Sequence, residues 1–189
     1  MKYPNNIKKK NKTSVLYGNR GMDLENSLNL INSYYIENDI ALIYKKPTPI
    51  GIVDVNYEFG KNIITKAYFK EPSTLDYNGL YKGKYIEFEA KESKNKTSFP
   101  LANIHEHQIK HIKNVIKHKG IVFLIIYMNN SSFLLKGTDF INYINNHNRK
   151  SIEFKFIEEK GVVIKETFNG IDYISVVDKI YFGGNIWKK

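Results

Sequence analysis

The sequence predicts an α/β fold, a single domain built on a mixed central sheet flanked by helices. Three observations predict it. Leu24, Leu28, Ile31 and Tyr35 recur at helical spacing; residues 85–91 alternate between apolar and polar; residues 121–128 form a short apolar run of the length of a buried strand. With 189 residues and 42% hydrophobic content, the chain is long enough for one compact core and too apolar for wholesale disorder.

Residues 1–16 read as a flexible basic arm, and residues 17–189 as one domain. The KKKNK run at 8–12 suits plain solvation and a phosphate backbone alike. A helix is expected from Asp23, which can cap it. Residues 40–44 read as a short strand. Pro47 and Pro49 then bar an ordinary central strand, while 62–70 resumes β character, so 45–72 is expected to be an extended, two-armed excursion. Asn78-Gly79 reads as a turn and Lys82-Gly83 as another. On 85–91, Ile86, Phe88 and Ala90 point to a core, and Tyr85, Glu87, Glu89 and Lys91 share the opposite face. Residues 94–100 read as loop. A helix is expected over 101–118, with Ile109, Ile112 and Ile116 as its buried stripe and Gly120 as its stop. Strand 121–128 pairs with 133–136, and Thr138-Asp139 opens a short helix over 140–145. The polar stretch 146–169 carries no pattern, and 171–182 reads as a last helix with Ile174, Val177 and Tyr181 inward.

Charge narrows the function classes. The formal net charge is +10 and the isoelectric point about 9.4, a balance that favours a polyanionic partner, nucleic acid before an anionic membrane surface. Lysine far outnumbers arginine, which a coding bias can also produce. The absence of cysteine excludes a disulfide scaffold, a thiolate metal site and a cysteine nucleophile, and fits a cytoplasmic location. The longest apolar run is far too short to span a bilayer, and residues 1–13 do not read as a signal peptide.

The alternating strand carries the candidate chemistry. Glu89 and Lys91 lie on one face, roughly 7 Å apart along it. A strand–turn–strand return would set Asp76 opposite Glu89. Two carboxylates so placed repel each other, and a hard divalent cation such as Mg²⁺ relieves the repulsion. A cation held this way supports phosphodiester hydrolysis, with Lys91 as a fixed positive charge beside the reacting phosphate. Alone, the spacing Asp-x12-Glu-x-Lys also describes a solvated strand face with a Glu/Lys pair.

Several motifs in register add specificity. STLDYNGLYKGKYIEFEAKESKNKTSFPL at 73–101 resembles the signature stretch of the RecU family, bacterial Holliday junction resolvases of the PD-(D/E)xK nuclease superfamily. GNRGMDLE at 18–25, KKPTPIGIV at 45–53, AYFK at 67–70, HEHQIKH at 105–111 and the terminal DYI…YF are similar to the same family in the same order. The resemblance implies a restriction-endonuclease-like core with a protruding stalk at 45–72. It implies an endonuclease making paired symmetric nicks in four-way junctions during recombination and repair, leaving 5′-phosphate and 3′-hydroxyl ends. It implies Asp76 and Glu89 as metal carboxylates, Thr74 and Gln108 as further ligands, Lys91 as transition-state stabiliser and Glu25 as a nearby catalytic acid. Arg20 would contact DNA, as would Lys45 and Lys46 where the stalk begins. Mg²⁺ would be the cofactor, with Mn²⁺ as substitute. A homodimer is implied, matching the two-fold symmetry of the junction, as are a strand-exchange recombinase and a branch-migration helicase as partners. The chain departs from the superfamily's nominal Pro-Asp, having Leu75-Asp76 instead.

Other readings of single residues stay open. Glu25 also fits a first-turn acid favoured by the helix dipole, Arg20 a turn cap, and Lys45 and Lys46 strand-end charges. His107 and His111 share a helical face but lack the HExxH pattern, and read as solvent- or DNA-facing. The rival functions are a non-cleaving junction-binding protein and another nuclease of the superfamily. Keeping Asp76, Glu89 and Lys91 together argues for cutting. If the basic run at 8–12 grips backbone phosphates, deleting it will weaken DNA binding. It will also flatten the slope of log affinity against log salt by roughly 0.9 for each phosphate no longer neutralised, read from binding titrations across ionic strength.

Overall fold

The computed structural model describes residues 23–70 and 74–183. The expected arm and Arg20 lie outside the described residues. In chain order the elements are α1 (Leu24–Glu37), β1 (Leu42–Lys45), β2 (Ile50–Glu58), β3 (Lys61–Phe69), β4 (Tyr77–Tyr81), β5 (Lys84–Glu92), β6 (Ser98–Pro100), a 3₁₀ turn (Leu101–Asn103), α2 (Glu106–Lys117), β7 (Ile121–Met128), β8 (Ser131–Lys136), α3 (Gly137–Asn146), β9 (Ser151–Glu153), α4 (Phe154–Lys160), β10 (Val162–Ile164), β11 (Glu166–Thr167), β12 (Gly170–Ile171) and α5 (Tyr173–Tyr181).

The central sheet runs β1-β4-β5-β7-β8-β10, with β5 and β7 parallel and the other neighbours antiparallel, so the fold is α/β with a mixed sheet. The parallel pair requires a crossover, which α2 supplies. Each face of the sheet carries its own core. Leu28 and Ile31 of α1 and Tyr173 and Val177 of α5 pack on Ile86, Phe88, Phe123 and Ile125. On the other face Ile112 of α2, Phe140 of α3 and Ile157 of α4 cover Val122, Leu124 and Ile126. The alternation of β7 between the two cores explains its unbroken apolar sequence: both of its faces are buried. On the first face a ladder of stacked rings ties three strands together. Tyr77 lies over Phe88 with centroids 4.8 Å apart, and Phe88 over Phe123 at 4.9 Å. These are register partners, so the stack fixes β4, β5 and β7 against one another.

Three two-residue hairpins share one turn chemistry. Phe59-Gly60, Lys82-Gly83 and Asn129-Asn130 all take positive φ at both positions, the twist that suits adjacent antiparallel strands. Among the described residues the hairpin β2–β3 pairs only with itself, and every residue of it except Gly51 is exposed.

The structure corrects several sequence expectations. Asn78-Gly79 is not a turn but lies within β4, where Gly79 faces Ile43 across the β1 ladder. A Cβ there would run into the backbone of Leu42 and Ile43, so the glycine serves close strand approach, not chain reversal. Residues 98–100 are a short strand, not loop, pairing with β9. The helix expected over 101–118 divides into the 3₁₀ turn and α2, and its buried members are Gln108, Ile112 and Val115, with Ile109 and Ile116 only partly covered. Lys119, not Gly120, takes the left-handed conformation after α2. The Gly120 amide donates to the Val115 carbonyl at 3.0 Å and the Lys119 amide to that of Ile116 at 3.0 Å, the paired closure of a Schellman motif. The patternless stretch 146–169 holds elements too short for periodicity to reveal, and the last helix begins at Tyr173 after β12. Asp23 caps α1 as expected, accepting from the Asn26 amide at 2.8 Å.

Gly79→Ala is expected to destabilise the protein by about 1–3 kcal/mol, the usual range for overpacking a closed site. Chemical denaturation of the two proteins checks this, with the midpoint moving to lower denaturant.

Candidate active site

The site lies on the face of β5 opposite the ring ladder. Tyr85, Glu87, Glu89 and Lys91 project there by strand alternation. Over β7 and β8 this face is apolar and covered by α2, α3 and α4. Over β5 it presents acids instead. Glu89 and Lys91 are not the solvated pair that the spacing alone would also describe: Glu89, like Glu87 beside it, is 0% exposed.

The β4–β5 return brings Asp76 to this face, with the tight turn at Lys82-Gly83. The Asp76 amide donates to Glu89 Oε2 at 3.1 Å. The Lys91 ammonium sits between the two carboxylates, 2.6 Å from Glu89 Oε1 and 4.0 Å from Asp76 Oδ2. It lies in ion-pair range of Oε1, and this buried oxygen has no other donor among the described residues. Asp76 keeps 40% of its side chain exposed and opens to solvent. Two adjoining clefts, of about 240 and 380 Å³, meet at Glu25, Lys45 and Asp76; Thr74 lines the larger.

Electrostatics separates the two buried acids. Burial raises the Glu89 pKa to about 7; the nearby Asp76 charge adds to the rise, and Lys91 opposes it. Burial also pushes Glu87 upward, but hydrogen bonds from Lys46, His111 and Tyr85 outweigh it and hold that carboxyl below its ordinary value. Glu87 is the buried acid whose partners sequence reasoning missed. Its Oε1 accepts from the Lys46 ammonium and, at 3.3 Å, from the Leu75 amide. Its Oε2 accepts from the Tyr85 hydroxyl at 2.8 Å and lies 2.7 Å from His111 Nε2. His111, expected to face solvent or DNA, is thus spent on a buried acid. The available signal was its place, with Gln108 and Ile112, on the covered side of α2.

The other expected site residues divide. Lys45 pairs with Glu25 at the cleft, and Lys46 is held by Glu87. Gln108 is buried, but its side-chain oxygen accepts from the His105 amide at 2.9 Å, closing the first turn of α2. The structure therefore brings together Asp76, Glu89 and Lys91, with Glu25, Lys45 and Thr74 along the adjoining clefts. Among the described residues no three His, Asp or Glu side chains converge as a ready ligand set. A hard cation needs only one or two carboxylates if it keeps its waters, and the buried Glu89 Oε1, met only by the Lys91 ammonium, beside the solvent-open Asp76 fits that demand.

The raised pKa of Glu89 has a consequence for the metal-free protein. Between its ordinary value of 4.5 and about 7 the folded state holds the proton more tightly than the unfolded state, so stability falls as pH rises through that window. Glu89→Gln removes this dependence. In EDTA the variant is expected to melt above the parent at pH 8, and the difference is expected to close below about pH 4.5, as read from thermal melts across pH.

Comparison with known proteins places this site in context. Residues 19–179 match the sequence profile of the family described as RecU, Recombination protein U. The chain is 51% identical to the Holliday junction resolvase RecU of Bacillus cytotoxicus, over 88% of this chain and 86% of that protein. It is 45% identical to the Holliday junction resolvase RecU of Oceanobacillus iheyensis, over 96% of this chain and 100% of that protein. Among solved structures it is similar to Archaeoglobus fulgidus Hjc, a Holliday junction resolvase from an archaeal hyperthermophile, across 72% of this chain and 94% of that one. The TM-score is 0.41 and the identity 6%, too loose a likeness to carry argument. Identity of this extent along nearly the whole chain, with the family profile spanning α1 through most of α5, shows that the protein belongs to the RecU family.

Proposed function

We propose that the protein is a Holliday junction resolvase, an endonuclease that nicks four-way DNA junctions at the Asp76/Glu89/Lys91 site. The observation that carries this reading is the placement of the Lys91 ammonium between two converging carboxylates, one buried and one open to solvent. A pair of carboxylates with a lysine in reach is what metal-assisted phosphodiester hydrolysis asks of a protein. Asp76 and Glu89 would hold the divalent cation, Mg²⁺ with Mn²⁺ as substitute, and Thr74 would add an oxygen from the cleft. Gln108 joins the set only by sharing or releasing its bond to the His105 amide. The cation, when bound, supplies Lewis-acid activation of water and neutralises charge on the phosphate.

The chain's own residues supply the rest. Lys91, fixed on the strand by its ion pair with Glu89, presents positive charge where negative charge grows on the reacting phosphate. Glu25 holds Lys45 at the cleft mouth, leaving the lysine poised toward backbone phosphate. The β2–β3 hairpin, exposed along both strands, serves in this reading as the stalk that enters the junction. Arg20 and the basic arm would add contacts to DNA. A junction of near two-fold symmetry takes two matched cuts, which a C₂ homodimer provides. The activity belongs to recombination and repair in the cytoplasm, alongside a strand-exchange recombinase and a branch-migration helicase. No helix among the described residues is long and apolar enough to cross a membrane.

A labelled four-way junction, incubated beside a linear duplex of the same sequences with Mg²⁺ or EDTA, tests the proposal. Paired symmetric nicks on the junction alone, dependent on metal, are expected. Junction binding without nicks under any divalent metal would move the protein to the class of architectural binders, and equal cutting of the duplex to general nucleases. Asp76→Asn is expected to abolish nicking and retain junction binding.

A further inference from the structure

Glu87 has no place in the chemistry just described, yet it is fully buried and receives donors from four directions. We propose that Glu87 is a positioning residue, clamping the base of the β2–β3 hairpin to the segment that carries Asp76 and so holding the metal carboxylates in place. The inference rests on the metal-dependent reading of the site given above.

The connections form a closed loop. The Lys46 amide donates to the Asp76 carbonyl at 2.8 Å, while the Lys46 ammonium reaches Glu87 Oε1. The same oxygen accepts from the Leu75 amide at 3.3 Å. Lys46 is therefore bound at both ends to the 75–76 segment, once directly and once through Glu87. Successive amides of that segment are taken by successive acids on one strand face, Leu75 by Glu87 and Asp76 by Glu89. The orientation of both peptides is set by this pairing, and with it the direction in which the Asp76 side chain leaves the backbone. His111 anchors the other carboxylate oxygen to α2, so the clamp cannot swing along the sheet.

Lys46 also marks where the chain leaves the sheet. It follows β1 directly and precedes Pro47, whose fixed backbone leads into the hairpin. A displacement of the hairpin base must pull on Lys46, and the clamp passes that pull to the residue carrying Asp76. Stability alone does not account for such a group: a buried ion pair contributes little net stability over apolar residues of similar shape. Its geometric effect is direct, because groups that orient metal ligands are worth about 10–100-fold in metal affinity or activity.

Glu87→Gln keeps the size of the side chain and removes its charge. The variant is expected to retain the circular dichroism spectrum of the parent. It is expected to bind Mn²⁺, followed by electron paramagnetic resonance in the absence of DNA, about 10–100-fold more weakly. Its loss of junction cleavage is expected in kcat more than in KM. Lys46→Met should weaken Mn²⁺ binding as well, and the double variant should lose less than the product of the two single losses, because both break one clamp. A folded Glu87→Gln protein with the parent's Mn²⁺ affinity would overturn the proposal. If that variant does not fold, Lys46→Met decides: weakened Mn²⁺ binding supports the clamp and unchanged binding overturns it. A parent protein that binds no Mn²⁺ overturns the metal-dependent reading together with this one, whereas metal binding by the parent with indifferent variants removes the clamp alone.

Discussion

An ionised carboxylate withdrawn from water costs several kcal/mol unless charges and donors replace the lost solvent. Strand β5 withdraws two, side by side on one face, and their needs organise the surrounding fold. Glu87 is compensated fully, and doing so requires that the end of β1, the approach to β4 and one turn of α2 all converge on it. Glu89 is compensated only in part, by one amide and one ammonium. Two chemically identical groups thus have opposite tendencies: the satisfied one is held ionised, and the less satisfied one is drawn toward its protonated form. The ring ladder on the far face makes this arrangement rigid, since Tyr77, Phe88 and Phe123 lock the strands whose opposite sides carry the acids.

The sequence made legible what local periodicity encodes. Helix α1, strands β7 and β8 and the alternation of β5 all follow from patterns within a few residues. Asp76, Glu89 and Lys91 were legible for the same reason, because they sit on one hairpin closed by a turn of recognisable chemistry. The role of Glu87 was not. Its donors Lys46 and His111 lie 41 and 24 positions away, and no local pattern brings them to the same oxygen pair. Gly79 misled for a related reason. Asn-Gly is a strong turn signal, but here the close approach of the β1 backbone requires the missing side chain. The short elements between residues 146 and 169 span too few residues for any repeat to register, and they owe their conformation to pairing with strands already in place.

The site and the hairpin make opposite use of the same basic chain. Around β5, lysines are spent on acids: Lys46 and Lys91 reach the buried Glu87 and Glu89, and Lys45 pairs with Glu25 at the surface. The long lysine stem allows this, since it crosses an apolar surface while the ammonium reaches its partner. Positive charge is thereby fixed at chosen points instead of spread as a diffuse field.

The β2–β3 hairpin has a further consequence, one of solubility. Among the described residues this two-stranded ribbon has both edges unpaired, and it also exposes Ile52, Val53, Tyr57, Phe59 and Phe69. Such a ribbon is a template on which other chains can add strands. Asp54, Glu58, Lys61 and Lys66 interrupt its apolar surface, and the irregular register around Asp54 bends one strand out of the flat form that stacks best. The ribbon thus carries within its own sequence the charges and the bulge that keep an exposed apolar arm from sticking to its neighbours.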